Sequence, residues 1–174
     1  MTLRCVPKDT VGAYAAQEGC EVVSAVNCLA LTSLTIPKGC RRVEVYNCPA
    51  LTSLTVPKGC KQVDVYKCPA LTSLTTPKGC EWVEVYNCAT LTTLTIPEGC
   101  KRVNVQNCAL LPALYRDKRG YVLLEAHGRY YAGCRTFTAA EAIAHWGANW
   151  YLNRERGAAF VAAVEQNERE KHDK

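Results

Sequence analysis

If this chain performs chemistry, its twelve cysteines and three histidines are the first residues to consider. Thiolates bind metals, exchange disulfides and attack electrophilic carbon, and each of these roles needs a spacing of its own. Ten of the twelve cysteines keep a strict period: Cys20, Cys40, Cys60, Cys80 and Cys100 recur every twenty residues, and Cys28, Cys48, Cys68, Cys88 and Cys108 follow eight places behind them. A zinc site draws four ligands to one point, usually from C-x-x-C pairs. Here seven residues separate the two cysteines of each unit and no histidine falls inside the array, so neither a metal nor another cofactor is predicted. Neighbouring units would approach closely enough for disulfides, but the N-terminus shows no basic region followed by an apolar run. The expectation is therefore a reduced, cytoplasmic protein whose periodic cysteines act as small buried hydrophobes.

Cys134 lies outside the period, with His127 and His145 as the bases nearest to it in sequence. A cysteine paired with a histidine is a legitimate nucleophile. However, Ala132-Gly133-Cys134-Arg135 reads as part of a strand, and His145 precedes Trp146 on a mostly apolar helix. Both are expected in packing roles. No catalytic residue is assigned, and a small cysteine enzyme centred on Cys134 stands as the alternative to a binding module.

The element that positions the cysteines is the repeat itself. One unit reads Cys40, Val43, Val45, Cys48, Leu51, Leu54, Val56, Pro57, Gly59, and the next Cys60, Val63, Val65, Cys68, Leu71, Leu74, Thr76, Pro77, Gly79. Self-similarity at a fixed short period predicts a stack of coils, each burying its apolar side against the next. VEVY and VDVY alternate as strands with the valines inward, LTSLT supplies a second extended segment, and Pro-Lys-Gly closes the coil.

Three ladders then face outward: Val26, Tyr46, Tyr66, Tyr86, Gln106; Ser24, Glu44, Asp64, Glu84, Asn104; and Val22, Arg42, Gln62, Trp82, Arg102. Carboxylates one coil apart repel by about 1 kcal/mol even in water. A surface arranged this way suits a protein partner that presents Lys or Arg, with the tyrosines as rigid contact area. The candidate binding residues are Arg42, Glu44, Tyr46, Asp64, Tyr66, Trp82, Glu84, Tyr86 and Arg102. Nucleic acid is disfavoured by the acidic ladder, although Lys38, Lys58 and Lys78 line the turns. On the second segment, Ser33 with Thr35, Ser53 with Thr55, Ser73 with Thr75 and Thr93 with Thr95 form a hydroxyl array similar to that of ice-binding β-solenoids.

The pattern C-x-x-V-x-V-x-x-C-x-x-L-T-x-L resembles a cysteine-containing leucine-rich repeat, and LTSLTVPKGC resembles the short repeats of bacterial members. The resemblance covers residues 20–114. It implies an α/β, mainly β, right-handed leucine-rich-repeat solenoid with a parallel sheet along one face that binds ligands. Bacterial leucine-rich-repeat ubiquitin ligases share the short repeat but carry a longer domain with Cys-x-Asp, where this chain has Cys134-Arg135-Thr136.

Residues 1–19 are expected to form an N-terminal cap with Cys5 buried, and residues 115–174 a small ββαα cap. In the latter, GYVLLEAHG and RYYAGCRTFT read as strands around His127-Gly128, Thr138 to Glu141 as a capping box, and NEREKHDK as a fraying end. YYAGCRTFTAAEAIAHWG resembles a segment of uncharacterised phage and prophage proteins. A net charge of +5, spread evenly, argues for no nucleic-acid tail, and no stretch approaches the roughly 20 apolar residues of a membrane span.

Overall fold

The computed structural model describes residues 3–148 and 154–173. β-branched residues alternating with polar ones give β1 (Leu3–Val6), β3 (Val22–Val26), β5 (Arg42–Tyr46), β7 (Gln62–Tyr66), β9 (Trp82–Tyr86) and β11 (Arg102–Gln106), which stack in that order as a parallel sheet. The LTSLT segments and their equivalents give β2 (Val11–Ala15), β4 (Ala30–Thr35), β6 (Ser53–Thr55), β8 (Ser73–Thr75) and β10 (Thr93–Thr95), a second parallel sheet of five strands. The chain is thus a β-solenoid with two sheets, where one had been expected.

Register explains the interior. Val43 pairs with Val63 and Val63 with Val83, and Val45 repeats this with Val65 and Val85, so each side chain packs on its own copy. These valines, Leu51, Leu71, Leu91 and the ten periodic cysteines are buried. A fully buried Leu or Val contributes about 1.5–3 kcal/mol, so the columns hold the coil together. Burial also suppresses thiol ionisation, pushing Cys60 up to about 11 and Cys80 up to about 12. All twelve cysteines are free thiols.

The outer corners carry a feature the sequence reading overlooked. Asn27, Asn47, Lys67, Asn87 and Asn107 all sit in the left-handed region, with φ between 52° and 58°. Asparagine tolerates this backbone better than other side chains do. It also bonds to its copy: the Asn47 Nδ2 donates to the Asn27 Oδ1 at 2.8 Å, and Asn107 to Asn87 at 2.9 Å. Lys67 interrupts the ladder. The turns on the other side close through Gly39, Gly59, Gly79 and Gly99, with φ from 77° to 98°.

One expectation about the N-terminal segment needs correction, the burial of Cys5. β1 and β2 add a strand to each sheet, so the described part of residues 1–19 is itself a coil of the solenoid. Cys5 pairs with Ser24, an outward column, and is therefore exposed rather than buried.

The C-terminal region keeps the expected order of strands followed by two helices, with more strands than ββαα. It has four antiparallel strands, β12 (Tyr115–Arg116), β13 (Val122–Ala126), β14 (Arg129–Ala132) and β15 (Arg135–Phe137), followed by α1 (Ala139–Gly147) and α2 (Arg154–His172). The His127-Gly128 turn and the Thr138 to Glu141 capping box form as expected. The β13–β14 hairpin has two apolar faces. Val122, Leu124 and Tyr131 join the solenoid core, whereas Leu123 and Tyr130 join Ala142, Trp146, Phe160 and Val164 under the helices. Thr136 Oγ1 donates to the Lys101 carbonyl at 2.7 Å, and Asn107 N to the Gly120 carbonyl at 3.1 Å, which seals the last coil. Where a fraying end was expected, α2 continues to His172, and Tyr130 donates to Glu168 at 2.6 Å while Lys171 reaches Glu125 and Glu168. Where the second helix begins relative to residues 149–153 lies outside the described residues.

Candidate interaction face

Strict register places all nine candidate residues on one side of the six-stranded sheet, in the three ladders expected. Strands of a parallel sheet lie about 4.8 Å apart, close to the thickness of stacked rings. Tyr46 accordingly stacks on Tyr66 at 4.7 Å and Tyr66 on Tyr86 at 4.9 Å, with ring planes 20° and 4° apart. Stacking half-buries Tyr66 and Tyr86, while Tyr46, at the open end beside Val26, stays 43% exposed. Tyr66 Oη donates to Glu84 Oε2 at 2.5 Å, and Asn104 Nδ2 donates to Tyr86 Oη. Burial, and the Glu84 carboxylate next to it, push the Tyr66 hydroxyl well above the usual phenol range.

The acidic ladder is not the bare repulsive column that its sequence suggested. Arg42 lies 2.9 Å from Glu44 and 3.1 Å from Asp64, and Arg102 lies 3.2 Å from Glu84. Each guanidinium thus neutralises a carboxylate on its own or the next coil. Asp64 is the sharpest correction: expected on the surface, it is only 7% exposed, bonded by Arg42 and by Gln62 at 2.9 Å. Burial raises its carboxyl above the usual range despite Arg42, and its Oδ1 has no hydrogen-bond partner among the described residues. Trp82 is 45% exposed, with the Arg102 guanidinium 5.9 Å from its ring. The face therefore combines exposed aromatic area with charges matched to within one: Arg42 and Arg102 against Glu44, Asp64 and Glu84.

The five-stranded sheet presents a different surface. Ser53 pairs with Ser73 and Thr55 with Thr75, and β10 continues both columns as Thr93 and Thr95. The four Ser-x-Thr or Thr-x-Thr pairs carry no charge, and among the described residues none of their eight hydroxyls bonds to protein.

Cys134 is not in a strand. It occupies the Gly133-Cys134 turn between β14 and β15, where Gly133 takes φ 59°, and it is exposed. It lines a cleft of about 510 Å3 together with Arg135, Phe137, His145, Trp146 and Phe160. His145 stacks on Phe137 at 4.9 Å, and burial, followed by the Arg135 charge, holds its imidazole below the ordinary value. His127 lies elsewhere, its Nε2 2.9 Å from the Ile96 carbonyl. The fold therefore brings together two of the three residues considered for cysteine chemistry.

Among the described residues, no three His, Cys, Asp or Glu side chains gather as a metal ion would require, and no helix is long and apolar enough to cross a membrane. Comparison with protein-family models gives no match, and neither does comparison with curated proteins or with solved structures.

Proposed function

We propose that this solenoid is a protein-interaction module that binds through the outer face of its six-stranded sheet. The observation that carries the reading is the aromatic ladder: three stacked tyrosines in line, the terminal ring open beside Val26, with exposed Trp82 on the same face. Stacked rings are already ordered, so a partner covers large rigid area at little entropic cost. A Lys or Arg from the partner has a place over the open ring of Tyr46, and the slight negative balance of the face favours that charge.

Kinship with leucine-rich-repeat proteins rests here on the C-x-x-V-x-V-x-x-C-x-x-L-T-x-L pattern, and a phage or prophage origin on the YYAGCRTFTAAEAIAHWG string. The test is capture of a partner by wild type and by Tyr46→Ala/Tyr66→Ala/Tyr86→Ala, with circular dichroism to confirm the fold. Binding is expected to vanish in the triple variant and to survive Cys134→Ser.

A second reading, a cysteine enzyme, is favoured by Cys134 and His145 sharing one cleft. Reaction of Cys134 with iodoacetamide no faster than that of exposed Cys5 would remove it. A third reading, an ordered ligand such as ice on the hydroxyl face, rests on the Ser53–Ser73–Thr93 and Thr55–Thr75–Thr95 columns, and a solution without thermal hysteresis would exclude it.

A further inference from the structure

The turns that join the five-stranded sheet to the six-stranded one form a ridge between the two faces. On it lie Lys38 and Arg41 of one coil, Lys58 and Lys61 of the next, and Lys78 of the third, all exposed. Successive coils are about 4.8 Å apart, so like charges crowd along the ridge.

Part of this crowding is relieved: on the sheet face Arg42 and Arg102 meet carboxylates, and at one end of the ridge Lys61 pairs with Glu81 at 3.1 Å, which Lys101 also reaches at 2.6 Å. Among the described residues, Lys38, Arg41, Lys58 and Lys78 make no ion pair. The unbalanced charge that the sequence assigned to the acidic ladder therefore lies here, with opposite sign.

A second, independent feature points the same way. At each of these turns the amides of the Lys-Gly pair, Lys38-Gly39, Lys58-Gly59 and Lys78-Gly79, donate to no protein acceptor, whereas the next amide, that of Cys40, Cys60 or Cys80, closes the turn onto proline. The glycines are left-handed with nothing near the position a Cβ would take, which leaves a shallow groove of about 360 Å3 between Gly39, Arg41, Gly59 and Lys61. Free amides beside a left-handed glycine, flanked by ammonium and guanidinium groups, form an acceptor-binding surface.

The ridge is short. Glu18 and Glu21 end it on the preceding coil, and Glu81 beside Lys78 and Glu98 on the following coil end it on the other side, so a long polyanion tracking the solenoid axis would meet repulsion at both ends.

We propose that this ridge binds a short acidic peptide segment of a protein partner, its carboxylates pairing with Lys38, Arg41, Lys58 and Lys78 and accepting hydrogen bonds from the turn amides. The proposal shares with the sheet-face reading only that the partner is a protein, and the tyrosines play no part in it.

The test is fluorescence anisotropy of a labelled oligoglutamate peptide, titrated at low and at physiological salt. Three variants are compared: Lys38→Glu/Lys58→Glu on the ridge, Lys67→Glu/Lys118→Glu off it, and the triple tyrosine variant. The two charge reversals each lower the net charge from +5 to +1, so a non-specific charge effect would weaken both alike. The expected result is a loss of about tenfold or more for the ridge variant, with the other two within about twofold of wild type. Lys38→Gln/Lys58→Gln, which adds no repulsion, is expected to fall between. Equal losses in both charge-reversal variants, no binding by wild type at low salt, or tighter binding of a single-stranded oligonucleotide of matched charge would each overturn the proposal. Failure of the tyrosine variant to capture a partner while the peptide still binds separates the two readings.

Discussion

The two sheets of the solenoid share one interior yet face solvent differently. Outside the six-stranded sheet each column changes from coil to coil: Arg42, Gln62, Trp82 and Arg102 share one line, and their charges and rings engage the coil above or below. Outside the five-stranded sheet the columns barely change from β4 to β10, from serine or threonine to the same again, and only β2 departs, with Ala13 and Ala15. Interior positions are nearly uniform in both sheets, with Ala25 and Thr76 as departures, because each side chain packs on its own copy. The contrast therefore comes from the solvent side, and it separates a varied surface suited to an aperiodic protein from a plain one made of hydroxyls.

If the faces share one interior, the largest effect follows from attacking that interior, and both sheets should fail together. Cys60 and Cys80 ionise near 11 and 12 in the folded coil, against an ordinary value of 9.0. Raised thiol values mean that the unfolded chain sheds protons first, so this stability is intact below about pH 9 and is lost as pH climbs towards the folded values. Each thiol forfeits up to about 1.4 kcal/mol per pH unit once the unfolded chain is ionised, giving about 2–3 kcal/mol for the pair between pH 8 and 10. Urea unfolding at pH 8, 9 and 10 measures it, and a flat profile would contradict the buried-thiol interior.

The next effect in size sharpens the difference between the faces. Replacing Tyr46, Tyr66 and Tyr86 by Ala removes two stacked pairs, each contributing about 0.5–1.5 kcal/mol, so a loss of about 2 kcal/mol is expected with the fold retained. Chemical denaturation of the triple variant provides the number. A third effect acts at the corner that ends the six-stranded sheet's strands. Lys67→Asn restores both a left-handed residue of the preferred type and a side-chain bond to its neighbours, and should stabilise by about 1 kcal/mol, read as a rise in Tm. The smallest effect belongs to the uniform face: Ser53→Ala, Ser73→Ala and Thr93→Ala together should shift stability by about 0.5 kcal/mol or less, because these hydroxyls bond to nothing in the protein. A larger shift would mean that the hydroxyls serve the fold and would remove the basis for treating that face as free.

The solenoid was legible because its information is repeated. A period of twenty, valines alternating inward and paired cysteines leave one arrangement in which every apolar group is covered, and the outward ladders follow by alternation. The corner asparagines were equally visible as a column, but their left-handed backbone and mutual bonds emerge only when the coils are stacked. Single-copy features were harder to read. Gly133-Cys134 looks like strand until antiparallel pairing of β14 with β15 requires a turn there. The charged tail looks like a fraying end until Tyr130 and Glu125 hold it.

By itself, then, the amino-acid order determined the coil, its interior and which side chains point outward, since those follow from periodicity and from the need to bury apolar surface. Tertiary structure alone decided how charge is shared between coils. Whether Asp64 meets water or Arg42, and whether Lys58 finds an acid, depends on the reach of long side chains across neighbouring strands, which residue spacing along the chain does not encode.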